Sequence, residues 1–261
     1  MSARKTTLHM SAYSLDGTSL IGYLKAFNVD INASLQDSRG ANEAFPHMCT
    51  TKKAAMHRFE IVEPNGGACN TNLNVTVYTE DGDNMLGNLK GGTISAKNNH
   101  NSGAGIADTW KFPNALSRDW NISTRRFIPF ATLLDEMMDD FVTGAISAVD
   151  VVVALTIGVN AYSAPMTLES LAHEANTGDF QFMSGVFKNR GAPTSPTGSA
   201  SLIATAFAGD ALISLAADTE AGQWSGTGII ESLDVKFEDE QLIMNSGVIA
   251  IQGAPTYVTS V

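Results

Sequence analysis

The chain is expected to fold as a mainly β protein, a sandwich or barrel type with one flanking amphipathic α-helix and long loops. Three features of its 261 residues point there. Period-two alternation of apolar and polar residues dominates the first third, residues 226–237 and 242–252 are strongly β-like, and one stretch has a clear helical spacing. Strict alternation places every second side chain on one face of a pleated strand, whereas recurrence at three and four residues makes one helical stripe.

Taken in order, Ile21, Tyr23, Phe27, Val29 and Ile31 stand opposite Asn28, Asp30 and Asn32, which predicts a long, half-buried strand. The Asp16-Gly17 pair predicts a hairpin turn joining it to a strand near residues 6–12. Ala55, His57, Phe59 and Ile61 form a second alternating run, and Leu73, Val75 and Val77 a third, with a turn at residues 64–67 between them. Residues 34–45 and 98–118 are long and polar and are read as loops.

Phe130, Leu133, Leu134, Met137, Met138 and Phe141 recur at three and four, opposite Asp135, Glu136, Asp139 and Asp140, with Pro129 in the first turn and Gly144 at the stop. They predict an amphipathic helix that packs on the sheet through its apolar stripe. Residues 151–157 are β-branched enough for a buried strand, residues 168–175 read as a short helix capped by Thr167, and Phe180 and Phe182 suggest a strand ending near Gly185. Residues 226–237 and 242–252 read as a closing hairpin. No linker or repeat divides the chain, so one domain over residues 1–261, with a long insertion at about 98–199, is the simplest organisation.

Composition narrows function. Hydrophobic residues make up 44% and charged residues only 16%, below the roughly 25% usual for globular domains, which suggests that much of the surface is covered. A formal net charge of -11 argues against a surface that grips nucleic-acid phosphates. Cys49 and Cys69 are too few for a disulfide framework, and free thiols in a reducing compartment are expected. The start lacks an apolar signal segment, and the most apolar stretch, 148–159, is too short to span a bilayer; cytoplasmic synthesis without a membrane anchor is expected.

Catalytic and metal patterns do not emerge. His9, His47, His57, His100 and His173 form no i, i+4 pair, and there is no phosphate-binding loop or nucleophile elbow. Gly226-Thr-Gly228 precedes a strand, so its amides are not aimed at a phosphate as a helix N-terminus would be. The acids at i, i+4 on the helix form an ordinary solvated face unless Arg125, Arg126 or a neighbouring subunit neutralises it. No enzyme, cofactor or metal is expected.

In order and texture, GYLKAFNVDINASLQD, TTKKAAMHRFEIVE, the internal amphipathic helix and GTGIIESLDVKFEDEQLIMNSGVIAIQG resemble the major tail tube proteins of long-tailed bacteriophages and related contractile systems. The resemblance covers about half the chain and includes no invariant motif. It implies a tail-tube-type β-sandwich whose copies form rings, commonly hexameric, that stack through a long loop into a tube. Other tail proteins would be partners, and DNA would pass through the lumen without specific binding. The location implied is the virion tail, assembled in the host cytoplasm. Asn28, Asp30, Asn32 and Asp234 are candidate lumen-facing residues, or else ordinary solvent-facing strand residues. Residues 34–45 and 98–118 are candidate stacking segments. The long middle departs from compact members of that family. Other readings are a capsid decoration protein, a secretion-system tube, or a ligand-binding β-sandwich, although Trp110, Trp120 and Trp224 form no evident aromatic platform.

Overall fold

The structure is a computed structural model that describes residues 10–37, 48–62, 73–79, 88–103, 109–128, 150–157, 160–175, 177–178, 182–190, 212–238 and 242–259. These are mainly β, with no helix among the described residues. The strands are β1 Met10–Leu15, β2 Thr18–Ser19, β3 Leu24–Asp37, β4 Met48–Val62, β5 Leu73–Thr79, β6 Asn88–Gly103 and β7 Phe112–Ile128. They continue as β8 Asp150–Ile157, β9 Asn160–Glu174, β10 Phe182–Asn189, β11 Leu212–Thr219, β12 Gly222–Glu238, β13 Met244–Ile251 and β14 Thr256–Thr259. All these strand pairs are antiparallel, in one connected 14-stranded sheet.

The organiser is β12. Its first half, from Gly222 to Ile229, pairs with β11, and its second, from Ser232 to Glu238, pairs with β6. A register shift between Ile230 and Ser232 separates the halves, leaving Glu231 as an extra residue. Such a bulge bends a strand and increases its twist, so β12 leads one run of strands, β2-β1-β11, away from another, β6-β7-β10-β9-β8-β5. On its other edge β13 carries the sheet on to β4 and β3.

Alternation explains the packing. Leu233, Val235 and Phe237 of β12 are buried together with Ile94 and Ala96 of β6 and Trp120 and Ile122 of β7. Tyr13 and Leu15 of β1 join the same core as Phe59 and Ile61 of β4. Gly247 of β13 leaves room for the Phe59 ring: an added Cβ would lie 2.5 Å from its Cζ. Thr124 of β7 is buried where β10 shifts register, and its hydroxyl donates to the Gly185 carbonyl at 3.0 Å while accepting the Gly185 amide at 2.9 Å.

Several expectations change. The Asp16-Gly17 turn exists, with φ of 49° and 75°, but it joins β1 to the two-residue β2; the long strand pairs with β4, and the main partner of β1 is β11. Residues 34–37 extend β3 instead of opening a loop, pairing as far as Asp37 with Met48. The polar stretch 98–118 is largely the end of a long hairpin, with β6 and β7 paired out to Gly103 and Phe112. Asn98 shows why so polar a segment is a strand. It is buried, and its side-chain amide donates to the Ile230 carbonyl at 2.6 Å, beside the bulge of β12. Residues 168–174 belong to β9, with Met166 and Leu168 buried opposite β10, so tertiary pairing overrides the weak helical spacing. The strand expected to end near Gly185 runs on to Asn189. The β8 strand and the β12–β13 hairpin lie where the pattern placed them. The expected helix, with Phe130, Leu133, Leu134, Met137, Met138 and Phe141, lies outside the described residues.

Candidate functional site

One face of the sheet formed by β3, β4, β13, β12, β6 and β7 is polar and points away from the core. The pairing register assembles it. Asn28 stands beside Arg58, Arg58 beside Val248, and Ser232 beside Lys97, which faces Asp119. The next row places Glu60 beside Ser246, then Asp234, Ser95 and Asn121. The sequence candidates Asn28, Asp30, Asn32 and Asp234 therefore share one face, although Asp234 comes from the far end of the chain. Between the β3–β4 and β12–β13 pairs lies a groove of about 330 Å3 lined by Ala26, Asn28, Glu60, Asp234 and Ser246 among others.

Charges on this face are matched. Arg58 Nε donates to Asp30 Oδ2 at 3.0 Å, and Asn28 Nδ2 donates to Asp30 Oδ1 at 2.9 Å. Ser95 Oγ donates to Asp234 Oδ1 at 2.6 Å. Farther along, Arg125 pairs with Glu238 at 3.0 Å and Lys188 with Glu169. These pairs are solvent-exposed, and such pairs contribute only about 0–1 kcal/mol each to stability. Their consequence is electrostatic: Asp30 and Glu238 each face an arginine, and Lys97 stands beside Asp119, so bases are interspersed among the acids of this face.

Alternation along β4 carried a signal for Arg58 and Glu60, because both occupy the positions between Ala55, His57, Phe59 and Ile61. Ser95 and Lys97 were harder to see, since glycines and a long polar continuation obscure the pattern of β6.

Behind the face, His57 is fully buried among Tyr13, Phe27 and Phe59. Its Nδ1 lies 3.0 Å from the Asn28 carbonyl, which can only accept, so Nδ1 carries the proton. Nε2 is then the acceptor for the Tyr13 hydroxyl at 2.7 Å. Burial disfavours the charged imidazolium and pushes the His57 pKa down to about 4, partly opposed by the Asn28 carbonyl. The same desolvation pushes Tyr13 upward. This neutral pair ties β1 to the back of the polar face.

The outer edge of β3 has no strand partner among the described residues, although β3 is 14 residues long. Ile31, Leu35 and Met48 are exposed apolar residues on β3 and β4. Among the described residues no three His, Cys, Asp or Glu side chains gather as a metal site, and no helix is long and apolar enough to cross a membrane. The chain matches no protein-family model, and no curated protein is significantly similar to it.

Proposed function

We propose that this chain is a structural subunit that assembles with copies of itself into stacked rings, forming a tail tube of the long-tailed phage type. The observation that carries this reading is the combination of a long strand, β3, whose outer edge has no strand partner among the described residues, and a broad polar face next to it. Unpaired strand edges recruit further strands, and a head-to-tail contact repeated between identical copies closes a ring or extends a filament. A sandwich-type packing of the β2-β1-β11 run against the β13-β4-β3 strands, with the polar face turned to the bore, is supported by the Tyr13–His57 contact between β1 and β4.

The face suits a conduit because its acids are matched by bases and hydroxyls, as at Asp30 and Asp234. A wall without a net cationic field makes little use of counterion release to hold DNA. Asn28, Asp30, Asn32 and Asp234 are the lumen-facing candidates on this reading, the amphipathic helix would flank the outside, and the assembled tube would sit in the virion tail.

Negative-stain microscopy of the purified full chain tests this. Hollow rings or tubes with a bore wide enough for duplex DNA are the expected result; a protein that stays monomeric at high concentration overturns it.

A further inference from the structure

The last described strand sits on the fold without taking part in its core. β14 pairs with Gly222, Gln223, Trp224 and Ser225 at the start of β12, along the edge opposite β11. Its residues are all exposed, with Tyr257 at 42% and Val258 at 56%, and none belongs to the buried apolar cluster. Among the described residues β12 is its only strand partner. Departure of β14 from this place therefore opens no cavity in the core; it bares only a short stretch of the β12 edge and one side of Trp224.

The seat is nevertheless cut to fit this strand. A Cβ added at Gly222 would lie 2.5 Å from the Val258 carbonyl oxygen and 2.8 Å from the Tyr257 ring, so glycine is what lets β14 lie flat there. Trp224 packs against Tyr257 with ring centres 4.6 Å apart, and the Tyr257 hydroxyl donates to the Ala221 carbonyl at 2.8 Å. A strand that fills the seat needs a phenol at this register, and a second copy of the chain supplies one. The body holds the connecting segment only as far as Gly253. The Gln252 amide donates to the Thr227 carbonyl at 2.7 Å and the Gly253 amide to the Lys111 carbonyl at 3.2 Å. Gly253 itself has φ of 72°, a left-handed conformation that directs the chain back onto β12. With Gly253 extended instead, residues 254–259 reach roughly 20 Å from the body at about 3.3 Å per residue.

We infer that β14 is an exchangeable latch: in the assembly, β14 of one copy occupies the seat at Gly222, Gln223, Trp224 and Ser225 of the next. Exchange replaces each contact by an identical one, so the balance between the closed and exchanged forms is set by the Gly253 turn and by the entropy of joining copies. A neighbour already in contact presents its strand at an effective concentration in the millimolar range, which favours exchange once copies meet. In the free chain the same strand covers an edge of β12 that would otherwise recruit strands indiscriminately. The inference rests on the reading of the chain as a self-assembling subunit, and adds to it a link between copies that does not involve the β3 edge.

Disulfide trapping in the full chain is the test. Gln223 and Val258 are paired in register and both exposed, so cysteines there fall within disulfide range, about 4.4–6.8 Å between Cα atoms. On a background of Cys49→Ser and Cys69→Ser, one variant carries Gln223→Cys and another Val258→Cys. Circular dichroism and sedimentation velocity first establish that each folds and assembles. The two are mixed as dissociated chains, allowed to assemble, oxidised and separated on a denaturing gel without reductant. A covalent heterodimer is expected, at least tenfold more abundant than in the same mixture kept dilute and unassembled. A variant with both cysteines is expected to bridge within its own chain when dilute and to give covalent multimers when assembled. Assemblies that yield no heterodimer, with the double variant bridged only within its own chain, overturn exchange while leaving self-assembly standing. If a cysteine variant does not fold or assemble, Tyr257→Ala supplies the readout: with circular dichroism unchanged, assembly is expected to need an at least tenfold higher concentration, and undiminished assembly overturns the latch. A wild-type chain that never associates overturns both.

Discussion

Acidification tests the buried His57 most directly. An unfolded histidine titrates near 6.5, whereas in the folded chain the value is pushed down to about 4. Because the folded state resists protonation, the stabilising contribution of neutral His57 is complete above pH 6.5. It is lost progressively as the pH falls from there toward 4, where the unfolded chain binds a proton that the folded chain does not. A separation of about 2.5 pH units at about 1.36 kcal/mol each gives roughly 3 kcal/mol lost across that window, a large part of a typical stability of about 5–15 kcal/mol. Urea unfolding of wild type and of His57→Gln, at each pH from 7 to 4, isolates this contribution. Glutamine can still donate to the Asn28 carbonyl and accept from Tyr13, but it does not titrate, and other groups cancel in the difference. Wild type is expected to lose about 3 kcal/mol more than the variant over the window. Parallel profiles would refute the assignment of a buried, neutral imidazole.

Other substitutions probe the fold at single points. Thr124→Val keeps the shape but removes the hydroxyl serving Gly185, and is expected to cost about 1–3 kcal/mol in urea unfolding. Gly247→Ala sets a methyl against Phe59; a cost of about 1–3 kcal/mol and a lowered thermal midpoint are expected, and an unchanged midpoint would show that the ring moves freely. Asp30→Asn breaks an exposed pair with Arg58 and is expected to change stability by less than about 1 kcal/mol, so a larger loss in thermal unfolding would contradict its place on the open face. Trp110→Ala removes the ring beneath Lys53, and hydrogen exchange should report faster loss of the Lys53 and Lys111 amides with little change in the β12–β13 ladder.

Much of the polar face was legible before the structure. Asn28, Asp30 and Asn32 alternate with Phe27, Val29 and Ile31, and a pleat turns that spacing directly into two faces. Asp234 could be placed on a polar strand face in the same way, yet nothing local says that β12 stands two strands from β4, with β13 between them. The His57–Tyr13 pair was illegible for a related reason: its members lie 44 residues apart, and only packing reveals that both are dry. Residues 98–103 and 112–118 misled because a hairpin extending past the core has no need of apolar alternation. Asn98 is held by the Ile230 carbonyl and Asn99 by Ser117, interactions that composition alone assigns to loops.

By itself, then, the sequence determined a β-rich chain and the alternating faces of β3 and β4, because periodicity is a local property of the chain. Only the tertiary structure decided that one bent strand serves two runs of strands, that residues 168–174 are extended, and that Lys53 of β4 meets Trp110 at the end of the β6–β7 hairpin. The physical reason is that a strand satisfies its backbone only through a partner, and the choice of partner depends on segments far away in the chain.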